Sequence, residues 1–189
     1  MKKWTVGVLC GFGLVLVSLA PATASTIGFT GAYDVANWTL TKSFGVDNTG
    51  GVDTSSAPVS IVLESDNWGD ALASNVDFTF VAFEAAVVKF AWSFDTTDTD
   101  GPAWDPFGFL LNGAFLQLSD SGGGNPQNGI ASFSVNPGDV FGFRARAVDS
   151  GFGPAFTTIS DFQVPEPSLL LLMGSSFGLV AARRRFGFK

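Results

Sequence analysis

Along VVKFAWSFD, residues 87–95, apolar and polar side chains alternate with a period of two. Val88, Phe90, Trp92 and Phe94 share one side, and Lys89, Ala91 and Ser93 the other. DVFGFRARAVD, residues 139–149, repeats the pattern, with Phe141, Phe143, Ala145 and Ala147 opposite Gly142, Arg144 and Arg146. That period marks strands buried on one face, each turning an aromatic row toward a core. Further strands are predicted at 27–33, 37–41, 59–64, 76–83, 109–118, 130–135 and 157–162. Turn formers separate them: Asn48-Thr49-Gly50-Gly51, Ser65-Asp66-Asn67, Ser121 to Asn125, and Asn136-Pro137-Gly138-Asp139. Nothing between residues 25 and 164 sustains a 3.6-residue apolar stripe, and no repeat of about 20–50 residues recurs, which removes solenoids and propellers. About eight or nine strands in one domain predict an all-β fold, an antiparallel β-sandwich of jelly-roll type.

Two longer apolar runs lie outside this alternation. Lys2 and Lys3, an apolar stretch from Val6 to Ala20 and the small residues Ala22-Thr23-Ala24 have the three parts of a signal peptide, with cleavage predicted after Ala24. A retained membrane helix is the other reading. Residues 169–182 carry no charge and precede Arg183, Arg184 and Arg185. A bilayer crossing takes about 20 residues, so this run reaches across only with residues 165–168 or with snorkelling arginines. The basic cluster is predicted to stay cytoplasmic, which places the intervening domain outside. A buried C-terminal helix of the domain is the alternative, opposed by the proline pair before it. The chain divides into a signal peptide at 1–24, a sandwich at 25–163, and a transmembrane helix with its flanks at 164–189.

Val164-Pro165-Glu166-Pro167-Ser168, an apolar run and then Arg183-Arg184-Arg185 resemble the PEP-CTERM sorting signal of Gram-negative bacteria. The resemblance implies an exported protein handled by signal peptidase and by an exosortase, in producers of extracellular polysaccharide or biofilm. By the same resemblance Pro165, Glu166 and Pro167, with the arginines, are features the processing enzyme reads and carry no catalysis. The domain has a weaker likeness. Phe90 through Asp98 and Asp100, Asp105-Pro106-Phe107-Gly108, Gly138-Asp139, Phe141-Gly142-Phe143 and Ile159-Ser160-Asp161-Phe162 are similar to the sandwich-like ectodomains of many small PEP-CTERM proteins.

Composition narrows the chemistry. The single cysteine, Cys10, falls in the signal segment, so hydrophobic packing must hold the domain without a disulfide. Between residues 25 and 163 only Lys42, Lys89, Arg144 and Arg146 face sixteen acidic residues, a formal charge of −12. That field repels nucleic acid and anionic lipid and suits divalent cations and neutral ligands. The chain has no histidine, which removes imidazole bases, Ser-His-Asp and Cys-His catalysis and the usual zinc sites. No nucleotide-binding glycine loop is present. Glycoside hydrolysis by paired carboxylates is the one enzyme class left, with Glu64 and Glu84 the domain's only glutamates.

Two groups of side chains are candidate sites. FDTTDTDGPAWDPFG gathers Asp95, Asp98, Asp100 and Asp105 behind a strand. Carboxylates so close raise one another's pKa unless a cation or donors intervene, and calcium, which takes six to eight oxygens, would serve. The spacing is not that of an EF-hand, and a solvated turn with aspartates capping backbone amides is the other reading. Asp149, at the end of the 141–148 strand, is a further ligand if the fold brings it near. Trp38, Trp68 and Trp104 lie near strand ends or in loops, where an indole stacks on a sugar or anchors a loop. The phenylalanines at alternating positions are core. The predicted function is a non-catalytic surface or matrix protein associated with extracellular polysaccharide. A calcium-dependent carbohydrate-binding module is the alternative, and a glycoside hydrolase the remote one.

Overall fold

The computed structural model describes residues 28–44, 47–69 and 71–164. Its alternating segments pair into two five-stranded sheets. The strands are β1 (Thr39–Lys42), β2 (Gly51–Asp53), β3 (Ser60–Glu64), β4 (Ser74–Val81), β5 (Ala86–Thr96), β6 (Phe107–Leu111), β7 (Ala114–Gln117), β8 (Gln127–Val135), β9 (Val140–Ala147) and β10 (Ala155–Gln163). The first sheet runs β1-β4-β9-β6-β7 and the second β2-β3-β10-β5-β8, antiparallel throughout. Counted from β3 to β10 as eight strands, the second sheet holds the first, eighth, third and sixth, and the first sheet the second, seventh, fourth and fifth. That is the jelly-roll order, and β1 and β2 each add an edge strand.

The predicted faces are the observed ones. Val88, Phe90, Trp92 and Phe94 of β5 are buried while Lys89 and Ser93 are exposed, and Phe141, Phe143, Ala145 and Ala147 of β9 are buried. Rings from the two sheets fill the space between them: Phe109 stacks on Phe133 at 4.1 Å and Phe90 meets Phe143 edge-on at 4.9 Å. Outside the first sheet, Arg144 makes a two-pronged ion pair with its register partner Asp77, both bonds 2.6 Å, and lies over the Phe115 ring.

Three expectations are corrected. The strand predicted at 27–33 is instead an irregular lead into two 3-10 turns, Gly31–Tyr33 and Val35–Asn37. Gly28 and Gly31 sit at φ +60, and the Asp34 carboxylate accepts the Ala36 N–H, so local bonds replace a ladder. The strand predicted at 109–118 is a hairpin folded between β6 and β7 at Asn112-Gly113, whose φ values of 51 and 82 are those of a tight primed turn. Trp38, a candidate for sugar stacking, is core. Its indole lies 5.1 Å from Phe78 and 5.6 Å from Phe143, parallel to both, and its Nε1 donates to the Tyr33 carbonyl.

Connections collect at two poles. The loops 65–73, 97–106, 118–126 and 148–154 share one, and the turns 82–85, 112–113 and 136–139 share the other. β10 starts at the loop pole and ends at the opposite one, about 30 Å away at the usual rise per residue. There the Gly28 N–H donates to the Phe162 carbonyl, Phe29 stacks on Phe162 at 4.8 Å, and Val164 is buried. The predicted signal peptide at 1–24 and the predicted membrane helix at 169–182 lie outside the described residues. Among the described residues no helix is long and apolar enough to cross a membrane.

The burial of Trp38 makes a specific demand. Trp38→Ala is expected to cost about 3–5 kcal/mol in chemical unfolding, whereas the same change at exposed Trp68 stays within about 0.5 kcal/mol.

Candidate functional site at the loop pole

Backbone bonds tie the loops of this pole to one another. The Val148 N–H donates to the Trp104 carbonyl, the Thr97 N–H to that of Pro154, and the Gly153 N–H to the Asn67 side chain. The Ser74 and Ser150 hydroxyls bond at 3.0 Å, and the Asn125 amide exchanges two hydrogen bonds with the Thr96 backbone. Residues far apart in sequence are thereby held on one surface.

The surface has a polar floor and an aromatic rim. On the floor, Asp105 is buried and both of its carboxylate oxygens are engaged: the Ser65 hydroxyl donates to Oδ1 at 2.8 Å and the Thr96 hydroxyl to Oδ2 at 2.7 Å. Ser65 in turn accepts the Ala155 N–H at the start of β10. Burial pushes the Asp105 carboxyl up to about 6, against the pull of the two hydroxyls and with help from the charges of Asp98 and Asp149. Asp98 is also buried. Its Oδ1 accepts the Asp100 N–H at 2.6 Å, while Oδ2 is enclosed without a partner. Burial raises its carboxyl as well, the Asp100 N–H resisting and the charges of Asp149 and Asp100 adding to it. Asp66 behaves oppositely. Burial would raise it, but donors from Thr49, Ser74 and Ser150 hold it below the usual range.

The charges of Asp98 and Asp149 act on Asp105, and those of Asp149 and Asp100 on Asp98, so Asp149 lies near the acidic loop. Asp95 is separated from them, because β5 turns its inward positions, Phe94 and Thr96, to the core and Asp95 to the outer face of the second sheet. Trp68 and Trp104 are on the rim, 53% and 37% exposed. Phe152, 68% exposed at φ 64, joins them and went unremarked in the sequence reading. Its signal was present: an aromatic set between Gly151 and Gly153, where nothing nearby in the chain can bury it.

As a calcium site the floor is incomplete. Among the described residues no group of three or more His, Cys, Asp or Glu side chains is arranged to hold a metal ion. Asp105 spends its oxygens on hydroxyls, and Asp100 is exposed. Among the described residues Asp98 Oδ2 is the one fully buried carboxylate oxygen without a hydrogen-bond partner.

Residues 163–185 match the PEP-CTERM protein-sorting motif. The match begins on the last residue of β10. No curated protein sequence matches this chain. Among solved structures, a native family 35 carbohydrate binding module from Clostridium thermocellum aligns with TM-score 0.33 and 13% identity, over 66% of this chain and 92% of its own. TmCBM61 in complex with β-1,4-galactotriose aligns with TM-score 0.33 and 10% identity, over 70% of this chain and 90% of its own. The enzymatically active domain of tailspike protein 4 of Bacteriophage CBA120 aligns with TM-score 0.37 and 11% identity, over 75% of this chain and 21% of its own. No ligand or reaction is carried over from them.

The raised carboxyls fix a pH response. Both Asp98 and Asp105 hold protons more tightly in the folded chain than at their ordinary value of 3.8, so protonation stabilises the fold. The contribution of Asp105 is complete below 3.8 and is lost as pH rises through about 6, and that of Asp98 has the same sign. With metal chelated, unfolding free energy is expected to fall from about pH 4.5 to about pH 7.5, by up to about 2 kcal/mol from Asp105 alone. Asp105→Asn should remove most of that slope in urea titrations.

Proposed function

We propose that this chain, which carries a PEP-CTERM sorting motif, is exported, processed by signal peptidase and an exosortase, and displayed at the cell surface or in the extracellular matrix as a non-catalytic protein that engages neutral polysaccharide. The observation that carries the reading is the place of the motif. It begins where β10 ends, at the pole opposite the aromatic rim. A sandwich held by residues 163–185 thus turns Trp68, Trp104 and Phe152 away from its attachment. Arg183, Arg184 and Arg185 on the cytoplasmic side, with the acidic sandwich outside, complete the topology.

Charge and chemistry support the ligand class. A domain of formal charge −12 disfavours polyanions, and exposed indoles suit the apolar faces of sugar rings. Hydrolysis has less support. Glu64 closes β3 at the loop pole and Glu84 sits in the 82–85 turn at the other, so the two glutamates are split. The carboxylate of Asp105 is covered and hydrogen-bonded within the fold.

Calcium dependence is a second reading, favoured by one observation, the enclosed and unpartnered Asp98 Oδ2. Asp98, Asp105 and Asp149 are the carboxylates that a cation would draw together, with loop carbonyls making up the oxygen count.

Two outcomes are expected. In cells with a working exosortase, a chain tagged at both ends of residues 25–189 should lose its C-terminal tag. Changing Pro165, Glu166 and Pro167 together to alanine should leave both tags on a membrane-bound precursor, and equal processing of the two would count against the sorting assignment. For the second reading, calorimetric calcium titration of the full chain should show saturable heat and a raised melting temperature, both lost in Asp98→Ala. Absence of heat in the wild type would reduce the floor to a structural network.

A further inference from the structure

The outer face of the second sheet holds a cleft of about 350 Å3, lined by Gly51, Val52, Asp53, Val62, Glu64 and Phe156. Strand register explains its chemistry. Gly51 pairs with Glu64, Glu64 with Phe156, and Phe156 with Asp95, so these four stand in one row across β2, β3, β10 and β5. The next row on the same face is Asp53, Val62, Thr158, Ser93 and Asn128. Phe156 is 38% exposed on the solvent side of a strand whose next outward positions are Thr158 and Ser160. The core has no use for its ring. Cross-strand neighbours stand about 5 Å apart, so a carboxylate flanks the ring on each side, and Glu64 and Asp95 are about 10 Å from one another. Burial lifts the Glu64 carboxyl above its usual range, as expected for a group set into a cleft wall. At Gly51 a Cβ would meet nothing within 4 Å, which leaves that end of the row open.

We propose that this row is a saccharide-binding site: a neutral pyranose lies flat on the Phe156 ring with its hydroxyls donating to Glu64 and Asp95, and the chain of sugars continues over the hydroxyl and amide groups of Thr158, Ser93 and Asn128. The ring supplies a face for the C–H bonds of the sugar, and the carboxylates supply acceptors that a flat, polyhydroxylated ligand can reach from one plane. An anionic polysaccharide is repelled by the same carboxylates. An organic cation would also suit a ring between carboxylates, with Asp53 in the next row, but it has no use for the hydroxyl and amide groups of Thr158, Ser93 and Asn128. The site is distinct from the aromatic rim of the loop pole. It gives Asp95 a partner surface quite different from the acidic loop.

The test uses the purified full chain in a sugar-free detergent, titrated calorimetrically with neutral β-1,4-linked hexasaccharides of glucose, mannose and xylose. At least one should bind. Phe156→Ala should weaken it about tenfold or more, the loss usual for an aromatic anchor. Gly51→Phe, which fills the cleft from its open end, should do the same, with melting temperatures of both variants unchanged. In the Trp68→Ala, Trp104→Ala background, adding Phe156→Ala should still weaken binding about tenfold. Failure of all three hexasaccharides to bind, or affinity that survives both Phe156→Ala and Gly51→Phe, overturns the proposal. Binding lost only with Trp68 and Trp104 overturns it while sustaining the loop-pole reading. Displacement of saccharide by millimolar choline, with choline itself binding through Phe156, marks the cleft as a cation site and overturns it too.

Discussion

Trp38 is the side chain on which the sandwich depends. Six phenylalanine rings, Phe29, Phe78, Phe80, Phe141, Phe143 and Phe162, lie between 5.1 and 5.8 Å from it. They come from β4 and β9 of one sheet, from β10 of the other and from the N-terminal lead. One indole therefore joins three parts of the chain that no disulfide connects. Its single polar atom is satisfied by Tyr33, whose own place is set by the 3-10 turns. A core made of rings tolerates this because each ring buries a large area and its neighbours can meet it by edge or by face.

That packing leaves the loop pole free to hold arrangements that do not help stability. Asp98 and Asp105 are buried near Asp149 with no basic side chain among the causes of their shifts. Hydroxyls and backbone amides carry the compensation instead, and one oxygen goes without. Phe152 adds a positive φ and an exposed ring. An unpartnered buried carboxylate oxygen and an exposed ring at one pole, beside a core of packed rings, fit a division between support and contact.

Much of this was legible in the sequence and some was not. The alternation at 88–94 and 141–147 predicted both strands and their faces, because period two maps directly onto a pleated surface. The same count places Asp95 outward, and only the attraction of four nearby carboxylates set it with Asp98. The hairpin at Asn112-Gly113 is hidden inside a run of apolar residues that reads as continuous, although Asn-Gly is itself a turn signal. Trp38 and Trp68 are alike in their local settings. What separates them is which strands arrive later in the chain to cover one and not the other, and pattern along the chain carries no such information. The pairing of Glu64, Phe156 and Asp95 is likewise a matter of register between strands some sixty to ninety residues apart in sequence.

β10 has one consequence in mechanics. It is an inner strand, held by β3 on one side and β5 on the other, and it runs from the Ser65–Ala155 bond at the loop pole to Val164 at the far end. A pull on the chain beyond Val164 is directed along this strand, so the hydrogen bonds to both neighbours are loaded together in shear and not opened one after another. Drag on ligand held at the loops, resisted at residue 164, would pass through the same strand. A domain held at residue 164 would be strung on an inner strand, and its survival under a pull would be set by how fast that strand slides, a rate of forced unfolding, more than by its equilibrium stability.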